Sequence, residues 1–352
     1  MGVYFNDKHK GNTPWYMKVR YKDSENKPQV KIKRGFRTKT EALKFEKSFL
    51  QDITADKEYA FEKVVEFYIE TKKNHSKQST MYTKTTVINK FILPEFTGKD
   101  IRKITPRDLT RWQNKELFEK DAEGKNIYND TYIRSVNGQM RAIFNFAVSQ
   151  KYIEESPMDT LPNIGRKKTI RNYVVWSPDQ IATFLQNIPD YEDAYMAFMI
   201  LFYTGLRKGE LLALTLNDID FENRILHVSK TYSVIQKNEV ITTPKTETGI
   251  RDVPLPEFLC EQIQLYIKHI YKPDGSQRLF NHQRSGKFLE TAMNTGCKRT
   301  GLTRMRIHDT RHSHITILSE MYIPNKEIAK RVGQNGENMV IHYSHSTVAG
   351  QD

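Results

Sequence analysis

The sequence is poor in cysteine: Cys260 and Cys297 are the only two among 352 residues, and they form no Cys-x-x-Cys pair. This excludes a disulfide framework and a cysteine-based zinc site, and it fits a reducing compartment. Long apolar runs are missing as well. The longest, 194–203, has ten residues, about half of the roughly 20 that a membrane-spanning helix needs. The N-terminus has no apolar signal core. We therefore expect a cytoplasmic protein that does not bind membranes.

Acidic residues are also too few to balance the basic ones. The formal net charge is +13 and the isoelectric point about 9.4. A chain this basic typically binds a polyanion, and with the membrane excluded that polyanion is nucleic acid. Hydrophobic residues make up 38% and aromatic residues 11%, which is enough for folded cores in a chain long enough for two or three domains.

Much of the positive charge lies at the N-terminal end. Residues 1–50 contain 13 Lys and Arg against 5 Asp and Glu. Alternating apolar and polar residues predict a strand at 15–21 and a second at 29–33. In the second strand this alternation puts Val30 and Ile32 on the buried face and the lysines between them on the outside.

A capping-box pattern that begins at Thr38 predicts a helix after the two strands. Residues 1–55 are therefore predicted to form a small domain of one β-sheet and one helix with a cationic outer face, and we expect this face to bind DNA. The predicted DNA contacts are Lys18, Arg20, Lys31, Lys33 and Arg34.

The rest of the chain divides by composition into three parts. Residues 56–155 follow the helical period, with a strong helix start at Thr105, and predict a helical bundle. Residues 156–172 combine proline, glycine and basic residues, as is typical of a linker. Residues 173–352 predict a mixed, mainly α domain with β-hairpins, so the fold class is multidomain α+β. The linker's candidate DNA contacts are Arg166, Lys167 and Lys168.

Two segments of the last domain place cations in unusual settings. Arg207 stands at a turn between two apolar helices, where a charged residue needs an acidic partner or an anionic ligand. Glu210 lies one turn later and would be a supporting residue that orients Arg207, although the two could also form a purely structural pair. Lys245 lies in a predicted hairpin, a position that by itself is typical of a solvated lysine.

Two further segments carry histidines, an arginine and a tyrosine. His308 and Arg311 are three residues apart and share a helix face. His308 and His312 have the spacing of a metal-binding pair, and His314 is a further candidate. No acidic helix or cysteine set completes a zinc site, so we predict no metal and count His312 as a supporting residue. Tyr343 stands in a polar segment, where an isolated tyrosine is usually a surface residue.

Taken together, the motifs TGLRxGE, PKT–G–R, HDxRH and YSH resemble, in this order, those of the tyrosine recombinase (phage integrase) family. The resemblance extends from the first domain to the end, and it is strongest to integrases of phages and conjugative elements from Gram-positive bacteria. It implies a site-specific recombinase with an arm-binding, a core-binding and a catalytic domain. It also implies double-stranded DNA with core and arm attachment sites as substrate, a tetramer that passes through a Holliday junction, possible accessory DNA-bending factors, and no cofactor.

The resemblance implies a role for each motif residue. Arg207 and Arg311 would hold the non-bridging oxygens of the scissile phosphate, and Lys245 would protonate the departing 5′ oxygen. His308 would bond the phosphate and assist proton transfer. Tyr343 would attack the phosphorus and form a 3′-phosphotyrosine.

The sequence departs from the family pattern at two places. Gln334 stands where the family usually has histidine, nine residues before Tyr343. Glutamine can bond a phosphate oxygen but cannot carry a proton, and the neighbouring His342 is a poorer substitute. The sequence also ends nine residues after Tyr343, whereas family members usually continue into a segment that docks on the next subunit. We expect either a shortened chain or different assembly contacts.

Two alternative functions remain open from the sequence. A non-catalytic DNA-binding regulator of the same fold is favoured only by Gln334, and a covalent protein–DNA adduct on a nicked site would exclude it. A type IB topoisomerase shares the chemistry but would relax random plasmid without site preference.

Overall fold

The computed structural model describes residues 2–6, 11–22, 28–165, 173–244, 246–270, 275–281, 283 and 285–334. The chain forms two compact units, 1–169 and 170–352. Across the described residues, we find no helix whose length and apolar character would let it cross a membrane.

The first unit contains a three-stranded antiparallel sheet in the order β1-β2-β3 and a series of helices. The strands are β1 Gly2–Phe5, β2 Trp15–Lys22 and β3 Pro28–Phe36. The helices are α1 Lys39–Glu58, α2 Phe61–Lys73, α3 Gln78–Val87, α4 Leu93–Phe96, α5 Pro106–Trp112 and α6 Asp130–Ser149, with π-helical turns at Ile88–Ile92 and Gln113–Leu117 and a 3-10 turn at Ile101–Lys103.

The prediction for the faces of β3 is wrong. Residues directly opposite each other on antiparallel strands project to the same face. Lys31 stands opposite the fully buried Val19, whereas Ile32 stands opposite the exposed Lys18. Val30 and Ile32 are accordingly 53% and 44% exposed. They lie on the solvent face, and the lysines of β3 lie on the face that carries α1.

A β-bulge explains this reversal. Trp15 pairs with Phe36, but the next residue, Tyr16, pairs with Arg34, so Gly35 is an extra residue in β3. Gly35 has a φ of +98°, a conformation that glycine adopts without strain. The extra residue inverts the alternation: Phe36 stays in the core, whereas the other even-numbered residues of β3 turn outward.

The solvent side of the sheet, which we call the outer face, is therefore both cationic and apolar. On β2 and β3 it includes Lys18, Arg20, Val30, Ile32 and Arg34, together with Tyr16. Three of the five predicted DNA contacts lie on it, whereas Lys31 and Lys33 lie on the opposite face.

The helices after the sheet form the predicted bundle around one apolar core. Phe61, Val64 and Val65 of α2 are buried in that core at the spacing read from the sequence. The predicted helix start at Thr105 is a complete capping box: the side chain of Thr105 accepts a bond from the Asp108 amide at 3.3 Å, and Asp108 accepts one from the Thr105 amide at 3.0 Å.

The second unit is mainly helical, with a three-stranded antiparallel sheet in the order β4-β5-β8 and a separate β6-β7 hairpin. The strands are β4 Ile219–Asp220, β5 Ile225–Val228, β6 Thr231–Ile235, β7 Asn238–Thr242 and β8 Arg251–Pro254. The helices are α7 Pro178–Gln186, α8 Glu192–Thr204, α9 Lys208–Ala213, α10 Glu257–Lys268, α11 Lys287–Thr300, α12 Asp309–Glu320 and α13 Asn325–Val332. The multidomain α+β fold class is thereby confirmed.

Helix α8 is the centre of the second unit. Most of its residues are buried, because α7, α10, α11 and α12 pack around it. The apolar run 194–203, too short for a membrane, is thus a core helix. Two candidate site segments adjoin this core helix: Arg207 follows its C-terminal end, and α12 packs against it.

The β6-β7 hairpin packs on α9 through a close backbone approach. A Cβ at Gly209 would lie 2.5 Å from Oγ1 of Thr231 on β6, so this contact requires glycine. Arg278 adds to the contact, because it donates to the carbonyl of Leu212 at 3.2 Å and lies 4.2 Å from the ring centre of Tyr232. The hairpin, and with it the chain that leads to Lys245, is fixed against the helix that Arg207 precedes.

Candidate active site

Arg207 is placed by the turn between α8 and α9. Gly205 ends α8 in the left-handed conformation, with φ +66°, as expected from its place in the sequence. The guanidinium of Arg207 donates to Oε1 of Glu210 at 2.7 Å, and its backbone amide donates to Oε2 at 3.0 Å. Glu210 therefore orients Arg207, as the spacing suggested, while 39% of the Arg207 side chain remains exposed.

Glu210 is held by a second arginine that the sequence analysis gave no role. Its side chain is only 2% exposed, and Arg251 of β8 donates to both of its oxygens, at 2.9 and 3.3 Å. Burial acts to raise the pKa of Glu210, but the hydrogen bonds and charges of Arg251 and Arg207 outweigh it. The pKa is therefore lowered, and the carboxylate stays ionised between two arginines.

Arg311 reaches the same turn from α12. It is 1% exposed, and one guanidinium nitrogen donates to the carbonyl of Gly205 at 2.8 Å. Arg311 therefore brings a buried positive charge to the turn that Arg207 follows.

His308 immediately precedes α12 and is exposed at the surface. Desolvation by the surrounding protein, together with the charges of Arg311 and Arg207, lowers its pKa, so His308 is neutral at physiological pH. Behind it, the buried ring of His312 lies 5.1 Å from His308 and 4.0 Å from Tyr173, centre to centre. Burial, followed by the effect of His308, lowers the pKa of His312 to about 4, so it supports His308 as a neutral ring.

Gln334 is positioned by the end of α13. Gly333 takes the left-handed conformation, with φ +63°, and the amide of Gln334 donates to the carbonyl of Ala329 at 3.0 Å, the arrangement of a Schellman motif. Arg207 donates to the carbonyl of Gly333 at 3.0 Å. Gln334 therefore adjoins Arg207. Its Oε1 is buried without a hydrogen-bond partner among the described residues. This oxygen only accepts, so Gln334 could bond a phosphate only with its NH₂ group turned toward it.

His314 and Arg331 form a contact that the sequence analysis did not find. Arg331 donates to Nε2 of His314 at 3.1 Å, and the other ring nitrogen lies 2.8 Å from the carbonyl of Phe202. Burial and the charge of Arg331 lower the pKa of His314 to about 3. His314 is thus a neutral core residue that ties α12 to α8 and α13, with both of its ring nitrogens bonded to protein groups.

Several candidate residues lie outside the described part of the chain. These are Lys245, Tyr343, Arg166, Lys167 and Lys168. Among the residues that the structure does describe, no group of three His, Cys, Asp or Glu side chains could hold a metal ion.

The described candidates converge on one place. Arg207, Arg311, His308 and Gln334 come from three separate stretches of sequence, and their contacts join at the Gly205 turn and the end of α13. The site contains arginines, neutral histidines and an amide. Among the described residues, the buried carboxylate of Glu210 is shared by two arginines, and that of Asp309, next to His308, is paired with Arg306. Such a site is suited to an anion with several oxygens, such as a phosphodiester.

Comparison with known families agrees with this geometry. The model described as the phage integrase family matches residues 176–349, and that of the phage integrase N-terminal SAM-like domain matches 60–117. The chain belongs to the tyrosine recombinase family. A third model, described as an arm DNA-binding domain, matches residues 4–53 of this recombinase.

Relatives of the recombinase come from several mobile elements. It is 28% identical to the ICEBs1 integrase of Bacillus subtilis strain 168 over 330 residues, which cover 88% of this chain and 86% of that protein. It is also 28% identical to the transposase of transposon Tn916 from Enterococcus faecalis, over 45% of this chain and 38% of that one. The chain is thus a tyrosine-type site-specific DNA recombinase of the class that mobile elements encode.

Solved structures agree in fold. The Tn1549 transposon integrase in complex with circular intermediate DNA aligns with a TM-score of 0.63 at 21% identity, over 82% of this recombinase and 99% of that chain. A lambda integrase dimer bound to a COC′ core site aligns with a TM-score of 0.58 at 14% identity, over 100% of this chain and 96% of that one.

The Gly205 turn provides a stability prediction with a matched control. A Cβ at Gly205 would lie 2.6 Å from the His314 ring, whereas a Cβ at Gly301, which has φ +73°, would meet nothing within 4 Å. Gly301→Ala should cost only the left-handed strain, about 1–2 kcal/mol, and Gly205→Ala should add an overpacking cost of about 1–3 kcal/mol. Scanning calorimetry should therefore show a larger fall in melting temperature for Gly205→Ala, and equal falls would contradict the packing described here.

Proposed function

We propose that this recombinase integrates and excises a mobile element by forming a covalent bond between DNA and Tyr343. The observation that carries the proposal is the convergence of Arg207, Arg311 and His308 around a turn that Gln334 adjoins. Planar guanidinium groups can each donate two bonds to phosphate oxygens and remain charged at every physiological pH. The fixed cations would stabilise the additional negative charge of the pentacoordinate transition state.

The proposed reaction balances without an external energy source. The hydroxyl oxygen of Tyr343 attacks phosphorus while the bond to the 5′ oxygen breaks, and Lys245 supplies the proton that the departing 5′ hydroxyl requires. His308, neutral because of its lowered pKa, can accept the tyrosine proton. The phosphodiester energy is kept in the 3′-phosphotyrosine, so a 5′ hydroxyl from the partner strand can reverse the reaction and rejoin the DNA.

The assembly that we propose follows from the two DNA-binding parts. The bundle and the catalytic unit would hold the core site, and the outer face of the N-terminal sheet would hold a distal arm site. Four copies would meet on DNA to exchange strands through a Holliday junction, with accessory DNA-bending factors where the arm sites lie far away. This reaction would take place in the cytoplasm, where the host DNA lies.

Replacing the proposed nucleophile should separate binding from chemistry. Tyr343→Phe should bind core-site DNA with parental affinity and form no covalent adduct on a nicked suicide substrate, with or without EDTA. Tyr322→Phe is the control, because Tyr322 is a highly exposed tyrosine in the same domain, 94% exposed, and it should retain the adduct. An adduct in Tyr343→Phe, or a strict need for magnesium in the parent, would refute the mechanism.

Gln334 should act as a hydrogen-bond donor to the phosphate. Gln334→Ala should slow single-turnover adduct formation by up to about 10²-fold, as for one lost oxyanion donor. Gln334→His should react at least as fast as the parent, and its advantage should grow as the pH falls toward about 6.5, since protonated histidine donates a charge-assisted bond. If Gln334→Ala reacts at the parental rate, the residue has no part in catalysis.

The two faces of the N-terminal sheet should differ in their importance for arm-site binding. Removing Lys18 and Arg20 from the outer face should reduce the dependence of log K on log salt by roughly 0.9 for each phosphate that is no longer neutralised. Removing Lys31 and Lys33, two equal charges on the face that carries α1, should change that slope by much less. Filter binding to arm-site DNA at several salt concentrations measures both double-alanine variants. Equal slopes would show that net charge, not the outer face, drives binding.

A further inference from the structure

We propose that Arg251 is a positioning residue of the phosphate site, which couples Arg207 to the Lys245 loop and to the end of α13. The inference rests on the proposed function, since it concerns how the same site is assembled. It is carried by four hydrogen bonds from one buried side chain to three different parts of the fold.

The first link joins Arg251 to Arg207 through Glu210. Arg251 and Arg207 contact the same buried carboxylate, at 2.9 Å and 2.7 Å respectively. Because Glu210 also accepts the backbone amide of Arg207, the carboxylate fixes both the start of α9 and the direction of the catalytic guanidinium. Arg251 supplies the charge that keeps this carboxylate ionised although it is buried.

The other two links are to backbone carbonyls. Arg251 donates to the carbonyl of Gly249 at 3.0 Å and to that of Arg331 at 2.8 Å. Gly249 lies four residues after Lys245 in the sequence, and Arg331 stands two residues before Gly333, whose carbonyl binds Arg207. The backbone at Gly249 and the helix end that precedes Gln334 are thus held by the same guanidinium.

The side chain is suited to this role because only 4% of it is exposed. A guanidinium has five N–H donors in a rigid plane and can serve several acceptors at once, which the single ammonium group of lysine cannot do in the same directions. All three guanidinium nitrogens of Arg251 already donate to Glu210, Gly249 or Arg331, so its effect on the reaction must pass through Glu210 and the two backbone segments.

The test is single-turnover formation of the Tyr343 adduct on a suicide substrate, with DNA affinity and melting temperature measured in parallel. Arg251→Lys should keep the charge but lose the shared geometry, and its rate should fall by about tenfold. The rate of adduct formation by Arg251→Met should fall by about 10²-fold, which is the effect expected when a catalytic group is displaced by about 1 Å. Affinity for the core site should change little in both variants.

The pH profile distinguishes this role from a general loss of stability. Among the described residues, Arg207 and Arg251 are the charged groups that face Glu210. Ionised Glu210 holds Arg207, and its lowered pKa preserves that state as the pH falls. Without Arg251 the pKa of Glu210 rises. In Arg251→Met, the acid limb of the rate profile should therefore move to higher pH by about one unit or more. Adding Glu210→Gln should abolish that movement, because an amide does not titrate.

Arg278→Met is the matched control, since the Arg278 side chain is also buried, 8% exposed, and bonds backbone carbonyls of the same unit. It should lower the melting temperature without moving the acid limb. If Arg251→Met does not fold, the rate and pH profile of Arg251→Lys test the inference instead. A parental rate and profile in Arg251→Lys would overturn the inference while the parent still forms its adduct, whereas a parent that forms no adduct would overturn the proposed function itself.

Discussion

The buried carboxylate of Glu210, held between Arg207 and Arg251, is the interaction on which the rest of the site depends. Two guanidinium groups this close would repel each other, and breaking such a buried arrangement by removing one partner typically costs about 3–5 kcal/mol. Glu210 balances one of the two charges and leaves the other for a ligand. Because it is 2% exposed, solvent cannot take its place. The same carboxylate also accepts the amide that starts α9, so the position of the helix and the direction of Arg207 cannot vary independently.

The neutral histidines follow first from their desolvation and then from the neighbouring positive charges. Desolvation and neighbouring arginines lower the pKa of His308 and His312, and burial beside Arg331 lowers that of His314. A protonated ring at any of these positions would add to a repulsion that the site does not balance. Binding of a phosphate would reduce the positive field and raise the pKa of the exposed His308.

Sequence alone was sufficient for the parts of the fold set by local chemistry. The capping box at Thr105, the helix end at Gly205 and the pairing of Arg207 with Glu210 depend on residues a few positions apart. Arg251 is the arginine of the PKT–G–R motif, but its role could not be read from the sequence because Glu210 and Arg331 lie 41 and 80 residues away. The role of His314 was missed for the same reason, since it depends on α8 and α13.

The wrong assignment in β3 has a different cause, and it changes what the N-terminal sheet can do. An alternating pattern defines two faces of a strand but does not show where a bulge inverts them. Here the bulged residue Gly35 leaves Phe36 on the buried face and puts the other even-numbered residues of β3 on the solvent face. A sheet with Val30 and Ile32 inside would present only cations, and such a face binds any phosphate backbone through charge alone. The observed outer face combines cations with exposed apolar groups. Apolar groups contact base edges, such as the thymine methyl, while cations hold the backbone. The bulge therefore gives the N-terminal sheet a mixed cationic and apolar outer face, which suits the arm-site binding proposed above.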